Sequence, residues 1–252
     1  MLFKKFGDES LPTIILLHGG GLSWWSLKAI IELLRKEYHI ITPIIDGHGE
    51  AGNEPFVSIE NSAEKLISYI DTQHGGKVFA IGGLSIGAQI AVEALSARQE
   101  IAEYAIIESA LVYSITGMAA MTVPIYTLFY GLIRQRWFAK LQAKTLYVSE
   151  NMFEQYYEDS LKISKQSLIN ITASNGNYAL KSTIVNTKAK MLVIVGEKEI
   201  GIMKKSAQRL HEAIIGSSLY IAPFMGHGEF SIMHSAEYVE LISKFLKNEY
   251  EA

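Results

Sequence analysis

Gly83-Leu84-Ser85-Ile86-Gly87 is the stretch of sequence that decides the fold of this chain. The apolar run 78–82 before it predicts a buried strand, and the small and apolar residues 88–95 after it predict a helix. A G-x-S-x-G pattern between a strand and a helix is typical of a nucleophile elbow, a strained turn that exposes the serine hydroxyl. Glycine suits both ends of the turn because a Cβ there would press on neighbouring backbone. The first N–H groups of the helix would point at the site, which favours binding of an oxyanion.

The composition is that of a globular protein. Of the 252 residues, 49% are hydrophobic and 19% are charged, which is enough to build a substantial core. The net charge of -3 argues against nucleic acid as the main partner. The absence of cysteine excludes disulfides, thiol chemistry and cysteine-ligated metals.

No stretch of the sequence predicts a targeting or membrane segment. The N-terminal residues 1–7 lack the apolar core of a signal peptide. No uninterrupted apolar run reaches the ~18 residues that a membrane span needs. We therefore expect no membrane span and a cytoplasmic location.

Strands and helices alternate along most of the chain. Residues 2–6 predict a short edge strand, and Ser58 is a candidate N-cap for a helix that runs to about Gln73. The β-branched and aliphatic run 13–17 and the run 190–196 predict buried strands, and the runs 39–45, 104–110 and 218–222 predict further strands. This order implies right-handed βαβ units and a mostly parallel sheet flanked by helices.

Residues 112–185 break this alternation. They lack buried strand runs and show helical periodicity with many aromatic residues and methionines. The segment is too long for a loop in a compact domain, which predicts an inserted helical cap of about four helices. The predicted core is then 1–111 together with 186–252. The apolar content of the cap suits a substrate with an apolar acyl or alcohol group, although the same residues could merely pack the cap on the core.

An elbow serine needs a base, and His227 is the best candidate among the histidines. It follows the last predicted strand and lies between Gly226 and Gly228, at the sheet edge where open α/β folds bind ligands. His18 and His48 lie in loops at the same edge but precede the serine.

The base in turn needs a carboxylate to orient it. Glu199 follows the strand 190–196 and gives the chain order serine, acid, histidine. Glu108 is a rival because it ends the strand that follows the elbow, and Glu197 is a weaker alternative. The sequence favours Glu199 and leaves Glu108 open.

The oxyanion donors are predicted to be the N–H groups of Ile86, the residue after the nucleophile, and of Gly20. Gly20 lies among three consecutive glycines after the strand 13–17, which let the backbone approach a substrate carbonyl. This loop matches neither the phosphate-binding nor the dinucleotide-binding glycine pattern. Next to these donors and the nucleophile, Gly19, Leu84 and Trp24 are predicted to contact the substrate. For the tryptophan pair, either Trp24 or Trp25 could face the pocket entrance.

Together these motifs resemble those of the α/β-hydrolase superfamily, over nearly the whole chain. The residues that carry the resemblance are His18-Gly19-Gly20, Asp46-Gly47-His48-Gly49, Gly83-Leu84-Ser85-Ile86-Gly87, Gly196-Glu197-Lys198-Glu199 and Gly226-His227. The resemblance implies the α/β-hydrolase fold with a helical cap, a Ser-acid-His triad, and no metal or organic cofactor. Members most often have aspartate where this sequence has Glu199. Glutamate is an accepted alternative but is one methylene longer, so either its loop is displaced or another carboxylate serves.

The resemblance and the predicted groups imply acyl transfer on a small, largely apolar ester-type substrate. Ser85 would attack the carbonyl, His227 would take its proton, and Glu199 would hold the imidazole. The same groups could instead act on a thioester, lactone, amide or C–C bond. A ligand-sensing protein with slow turnover is an alternative from a different class.

Overall fold

The structure is a computed structural model that describes residues 1–115 and 117–250. Thr116 of the predicted cap and the last two residues of the predicted core, Glu251 and Ala252, lie outside these ranges. Seven strands form one sheet in the order β1-β3-β2-β4-β5-β6-β7. The strands are β1 (Leu2–Phe6), β2 (Thr13–Leu17), β3 (His39–Ile44), β4 (Val78–Leu84), β5 (Ala102–Glu108), β6 (Lys190–Gly196) and β7 (Ser218–Ala222).

The sheet is mostly parallel, as the alternation of strands and helices predicts. β1 pairs antiparallel with β3 at one edge, and the other neighbours are parallel. The register pairs Leu84 with Glu108 and Glu108 with Ile194. The carboxyl ends of the central strands therefore meet at one edge, and the segments that follow them converge there.

Helices cover both faces of the sheet. The first three α-helices are α1 (Lys28–Leu34), α2 (Ile59–His74) and α3 (Ile86–Ala97). α1 is preceded by a 3-10 turn at Trp24–Leu27. Ser58 caps α2 by accepting a hydrogen bond from Asn61 N at 3.1 Å, so the predicted N-cap is confirmed.

In the described residues between β5 and β6, the chain forms four α-helices, where the sequence predicts about four. They are α4 (Met118–Ile133), α5 (Arg136–Thr145), α6 (Phe153–Lys162) and α7 (Lys165–Asn177). An apolar cluster joins α5 and α6 to the sheet edge, because Leu22, Trp25 and Leu84 pack with Ala139 and Phe153. The division into a core and a separate cap at residues 112–185 stays a prediction.

After β6 the chain adds α8 (Gly201–Ala213), α9 (Glu229–Met233) and α10 (Ser235–Leu246). Side chains of α2, α3 and α8 share one buried cluster with one face of the sheet. Side chains of α1 and α10 share a second cluster with the other face. Among the described residues, no helix has both the length and the hydropathy needed to cross a membrane.

Candidate active site

Ser85 occupies a strained turn between β4 and α3. Its φ of 56° and ψ of -118° lie outside the regions that non-glycine residues normally adopt. The turn is held by a hydrogen bond from Ser85 N to the Glu108 carbonyl, 2.9 Å long. Strain at such a turn raises the side chain clear of the strand and the helix, so the hydroxyl is available to other groups.

Both glycines of the motif are required by close backbone contacts. A Cβ at Gly87 would lie 2.5 Å from the His18 carbonyl oxygen, and a Cβ at Gly83 would lie 2.6 Å from the Gly87 carbonyl carbon. Real Cβ atoms do not approach backbone so closely. Without side chains here, β4 can turn directly into α3 while α3 packs on the end of β2.

The structure brings Ser85, His227 and Glu199 into one hydrogen-bonded line. His227 Nε2 lies 3.0 Å from Ser85 Oγ, and His227 Nδ1 lies 2.7 Å from Glu199 Oε2. A carboxylate can only accept, so Nδ1–H donates to Glu199 and leaves Nε2 free to accept the serine hydroxyl proton. This is the arrangement that a serine nucleophile with a general base requires.

Glu199 is 5% exposed and is fixed by two further donors. Its Oε1 accepts hydrogen bonds from Ser109 Oγ at 2.6 Å and from Gly196 N at 2.9 Å. Burial raises the pKa of this carboxyl, but the hydrogen bonds from His227, Ser109 and Gly196 outweigh burial and hold the pKa below its ordinary value. The carboxylate is therefore kept ionised beside the imidazole.

Ser109 was not among the predicted site residues. It follows β5 with a φ of 55°, an unusual conformation for a serine, and this turn aims its hydroxyl across the sheet edge at Glu199. The sequence contained one usable signal, since Ser109 comes directly after a strand that ends beside the elbow. Its partner lies 90 positions further along the chain, and no local pattern could identify that pairing.

The rival carboxylates point elsewhere. Glu108 Oε1 accepts from Ser231 N at 3.3 Å, and Oε2 has no hydrogen-bond partner in the described part of the chain. Burial raises the pKa of Glu108 to about 7, although the Ser231 groups oppose the rise. Glu197 Oε2 accepts from Phe224 N at 2.7 Å. Neither carboxylate is hydrogen-bonded to His227 within the ranges that the structure describes.

The loop that carries His227 is braced from both sides. Glu229 Oε2 accepts from Gly226 N at 2.7 Å, and Lys198 N donates to the Met225 carbonyl at 2.9 Å. The second contact joins this loop directly to the loop that carries Glu199. The imidazole and its carboxylate are therefore positioned by backbone that is tied together.

The predicted oxyanion donors, Gly20 and Ile86, lie side by side. A Cβ at Gly20 would lie 3.6 Å from Ile86 Cγ2, and both residues line a cavity with Ser85. His18 anchors the glycine loop, because its Nε2 accepts from Ile45 N at 3.1 Å and its Nδ1–H donates to the Gly19 carbonyl at 2.9 Å. Burial lowers the pKa of His18 to about 3, which keeps the ring neutral in this structural role.

Contacts of Trp24, Leu84 and Gly19 with a substrate stay predictions, and the structure places Trp24 outside both cavities beside Ser85. The Trp24 ring packs on Phe6 at 5.5 Å and its Nε1 donates to Glu50 at 3.3 Å, so it points toward β1 and away from Ser85. The reason is the 3-10 turn, which directs Trp25 rather than Trp24 toward the helices between β5 and β6. Trp25 donates to Asp159 at 2.8 Å and lines a separate cavity of about 410 Å³ that Ser85 does not border.

Leu84, directly before Ser85, is 4% exposed and packs against the backbone of the site. Its side chain lies against Gly19 and Gly228, where added Cβ atoms would be 3.4 and 3.0 Å away. It therefore packs between the glycine loop and the histidine loop. Gly19 is buried in the same contact and lines neither cavity beside the nucleophile.

Two cavities meet at Ser85. The first, about 330 Å³, lies on the side of Gly20 and Ile86, and α4, α5, α6 and α7 contribute its walls. The second, about 380 Å³, lies on the side of His227 and has a mostly apolar lining. Its lining residues are Ser85, Leu111, Ile115, Asn175, Lys198, Glu199, Ile200, Ile202, Met203 and His227. Residues 1–115 and 117–250 contain no group of three or more His, Asp or Glu side chains that could hold a metal ion.

Known proteins share both the sequence pattern and the fold. The sequence profile described as the Alpha/beta hydrolase family matches residues 14–241. An AB hydrolase superfamily protein from Gibberella zeae is 26% identical over 145 residues. That alignment covers 55% of this chain and 49% of the relative, so this chain matches about half the length of that protein.

Two solved structures illustrate the similarity of fold. A thermophilic esterase from Thermogutta terrifontis superposes with a TM-score of 0.79 at 17% identity, covering 99% of this chain and 94% of that chain. An enol-lactonase from Burkholderia xenovorans LB400 has a TM-score of 0.79 at 18% identity, covering 98% and 96%. At these identities the likeness shows the fold alone, because one fold supports many activities.

Proposed function

The chain belongs to the alpha/beta hydrolase family, and from that premise we propose that it is a serine hydrolase of small, largely apolar carboxylic esters. The observation that carries the proposal is the line of contacts from Ser85 Oγ to His227 Nε2, 3.0 Å, and from His227 Nδ1 to Glu199 Oε2, 2.7 Å. The proposed reaction proceeds through an acyl-enzyme intermediate. The proposed catalytic residues are Ser85, His227 and Glu199.

In the first half-reaction, Ser85 Oγ attacks the ester carbonyl while His227 Nε2 takes the hydroxyl proton. Glu199 stabilises the imidazolium that forms, and its low pKa keeps it charged for this purpose. The N–H groups of Gly20 and Ile86 are proposed to stabilise the tetrahedral oxyanion. Loss of such a donor typically costs about 10²–10³ in rate.

Collapse of the intermediate requires a proton on the departing alkoxide, and His227 is the group that holds one. The alcohol part must therefore lie beside His227, in the cavity of about 380 Å³. The acyl part then lies on the other side of Ser85, beside Gly20 and Ile86, in the cavity of about 330 Å³. Water enters the vacated alcohol site, is activated by His227, and releases the acid.

The linings of the two cavities suggest what each part of the substrate is like. Leu111, Ile115, Ile200, Ile202 and Met203 make the alcohol side apolar. The acyl side is more mixed, since the lining includes Tyr126, Gln142, Thr145, Thr172 and Asn175 beside its apolar residues. We therefore propose an ester with an apolar alcohol and a small acyl group. Two separate cavities favour an open ester over a lactone, because the two halves of an ester part after cleavage.

Turnover of p-nitrophenyl esters with increasing acyl length tests the proposal. Ser85→Ala should lower turnover by about 10⁶. Ser68→Ala, which removes an exposed hydroxyl from α2, is the matched control and should behave as wild type. A fluorophosphonate probe should label wild type and Ser68→Ala and should not label Ser85→Ala. Equal hydrolysis or equal labelling in Ser85→Ala would refute the serine hydrolase proposal.

A second series tests the orientation. Acetate esters of increasingly apolar alcohols should show a rising kcat/KM, and lengthening the acyl chain with a constant alcohol should lower it once the acyl cavity is full. The opposite pair of trends would reverse the assignment of the two cavities and leave the role of Ser85 intact.

A further inference from the structure

Helix α4 carries an unusually apolar surface. Its 16 residues, 118–133, include no charged side chain. Outward-facing residues spaced along one side of the helix are Met121, Ile125, Leu128, Phe129 and Leu132, and Leu128 is 75% exposed. Trp137 and Leu141, at the neighbouring surface of α5, are 62% and 56% exposed. We call these seven side chains the outer apolar face.

The inward side of α4 is the more polar side. Tyr126 and Tyr130 face α7 and the segment before it, where their hydroxyls hydrogen-bond to Thr172 Oγ1 and to the Ile163 carbonyl, each at 2.9 Å. A surface helix of a globular protein normally places its apolar stripe inward and its polar residues outward. In α4 this order is inverted. Much of its apolar side is therefore left exposed by the folded chain, and such a patch typically marks an interaction surface.

Four cationic side chains lie in the segment that carries the outer apolar face, and two acidic ones, Glu150 and Glu154, lie beside three of them. Residues 109–149 contain Arg134, Arg136, Lys140 and Lys144 and no acidic residue, although the whole chain has a net charge of -3. Three of these cations recur every four residues along α5, next to the stripe of Trp137 and Leu141. Arg136 also pairs with Glu154 of α6. An apolar surface with a cationic border and an exposed tryptophan is the pattern that binds the interface of anionic membranes.

The dimensions of α4 fit a position in the plane of the interface. Sixteen residues at 1.5 Å each span about 24 Å, whereas a bilayer core is about 30 Å thick. A second copy of this chain is a poorer partner than an anionic surface, because a copy would bring the same cations to the contact, whereas anionic lipid complements them. We propose that the outer apolar face docks on the surface of an anionic lipid bilayer.

Docking would place the membrane next to the nucleophile. Tyr126 and Ile133, on the inward side of the same helix, line the cavity of about 330 Å³ that contains Ser85. The docking surface and the site are thus two sides of one helix. The docking proposal concerns a binding surface and stands independently of whether Ser85 cleaves an ester.

Flotation with lipid vesicles tests the docking directly. The full chain should float with vesicles of phosphatidylcholine mixed with phosphatidylglycerol, and far less with pure phosphatidylcholine. Ser85→Ala should float equally well, which separates this result from the fate of the hydrolase proposal. Leu128→Asp should lower the partition coefficient by about tenfold or more, since it removes one buried leucine from the interface.

Ile215→Asp is the matched control, because Ile215 is a fully exposed apolar residue beyond the end of α8. It should leave vesicle binding unchanged. Tryptophan emission should shift to the blue on anionic vesicles, and Trp137→Phe should remove the shift.

Failure to bind anionic vesicles, equal binding to both vesicle types, or equal loss in Leu128→Asp and Ile215→Asp would overturn the proposal. So would a lipid-free dimer in sedimentation velocity that Leu128→Asp dissociates, because the face would then be covered by a second copy.

Discussion

Replacing Glu108 by glutamine should change how the stability of the protein depends on pH. The Glu108 carboxyl is 2% exposed at the end of β5, and burial raises its pKa from 4.5 to about 7. Glutamine has nearly the same shape and does not titrate. The substitution therefore removes the ionisation of a buried group while keeping the packing around it.

Ionisation of Glu108 makes the wild-type protein less stable as the pH rises. Because the pKa is higher in the folded protein than in the unfolded chain, the folded protein holds more protons between these two values, and stability falls as pH rises through them. At about 1.4 kcal/mol for each pKa unit, the rise corresponds to about 3 kcal/mol. Roughly 2.5 kcal/mol of this develops between pH 5 and pH 8. Between pH 5 and pH 8 the free energy of unfolding of the wild type should therefore fall by that amount relative to Glu108→Gln. Any cost of burying the amide is the same at both pH values and does not affect this difference.

Thermal melts of both proteins at pH 5 and pH 8 measure this difference. For a chain of this size 1 kcal/mol corresponds to about 2–4 °C in Tm. The Tm of Glu108→Gln minus the Tm of wild type should therefore be larger at pH 8 than at pH 5 by about 5–10 °C. Glu64→Gln, at an exposed position of α2, should show the same Tm difference from wild type at both pH values. An equal Tm difference between Glu108→Gln and wild type at pH 5 and pH 8 would show that Glu108 does not have a raised pKa in the folded protein. Glu108→Gln should also retain ester turnover, since its side chain is not hydrogen-bonded to His227.

Three other changes test the arrangement around the nucleophile. Glu199→Gln should lower kcat by about 10⁴, since an amide no longer fixes the imidazole tautomer, and a kcat within tenfold of wild type would exclude it as the orienting acid. Ser109→Ala removes a hydrogen-bond donor to Glu199 Oε1, so it should raise the pKa of the Glu199 carboxyl and move the acid limb of the kcat/KM profile to higher pH. An equal fall of kcat/KM at every pH would indicate a merely structural role for Ser109. Gly87→Ala should cost more than about 4 kcal/mol, measured as a fall in Tm, because its Cβ would lie 2.5 Å from the His18 carbonyl oxygen. Gly131→Ala in α4, where a Cβ meets nothing within 4 Å, is the control and should be neutral or slightly stabilising.

The backbone architecture followed from the sequence because its signals are local. The run Thr13–Leu17 consists of β-branched and aliphatic residues, and four of the five residues of the strand that it predicts are buried. Ser58 and Gly75 bracket α2 by N-capping and by a left-handed C-cap, which are short-range effects. The G-x-S-x-G motif is local as a pattern, and Gly83 is required by the backbone of Gly87 within the same turn, whereas Gly87 is required by His18 at the end of β2.

The sequence did not predict where individual side chains point. The 3-10 turn at Trp24–Leu27 shifts the phase before α1, so regular helical periodicity does not indicate where Trp24 points. Glu108 ends β5 and Glu199 follows β6 at the same edge of the sheet, and only the position of His227 Nδ1, 2.7 Å from Glu199 Oε2, distinguishes them. The apolar residues of α4 fit helical periodicity, but that periodicity does not indicate which side of the helix faces the protein.

The pairing of β5 with β6 joins Tyr104 to Lys190, so the whole helical segment between these strands is one long excursion closed by the sheet. The entropy of closing such an excursion grows only with the logarithm of its length, about 0.6 kcal/mol for each doubling. Ser85 precedes the excursion, and Glu199 and His227 follow it. Over evolutionary time, this stretch could be lengthened, shortened or exchanged at small cost to the sheet. Such changes would alter the walls of the cavity of about 330 Å³ and the outer apolar face together. The relative positions of Ser85, Glu199 and His227 would be unchanged.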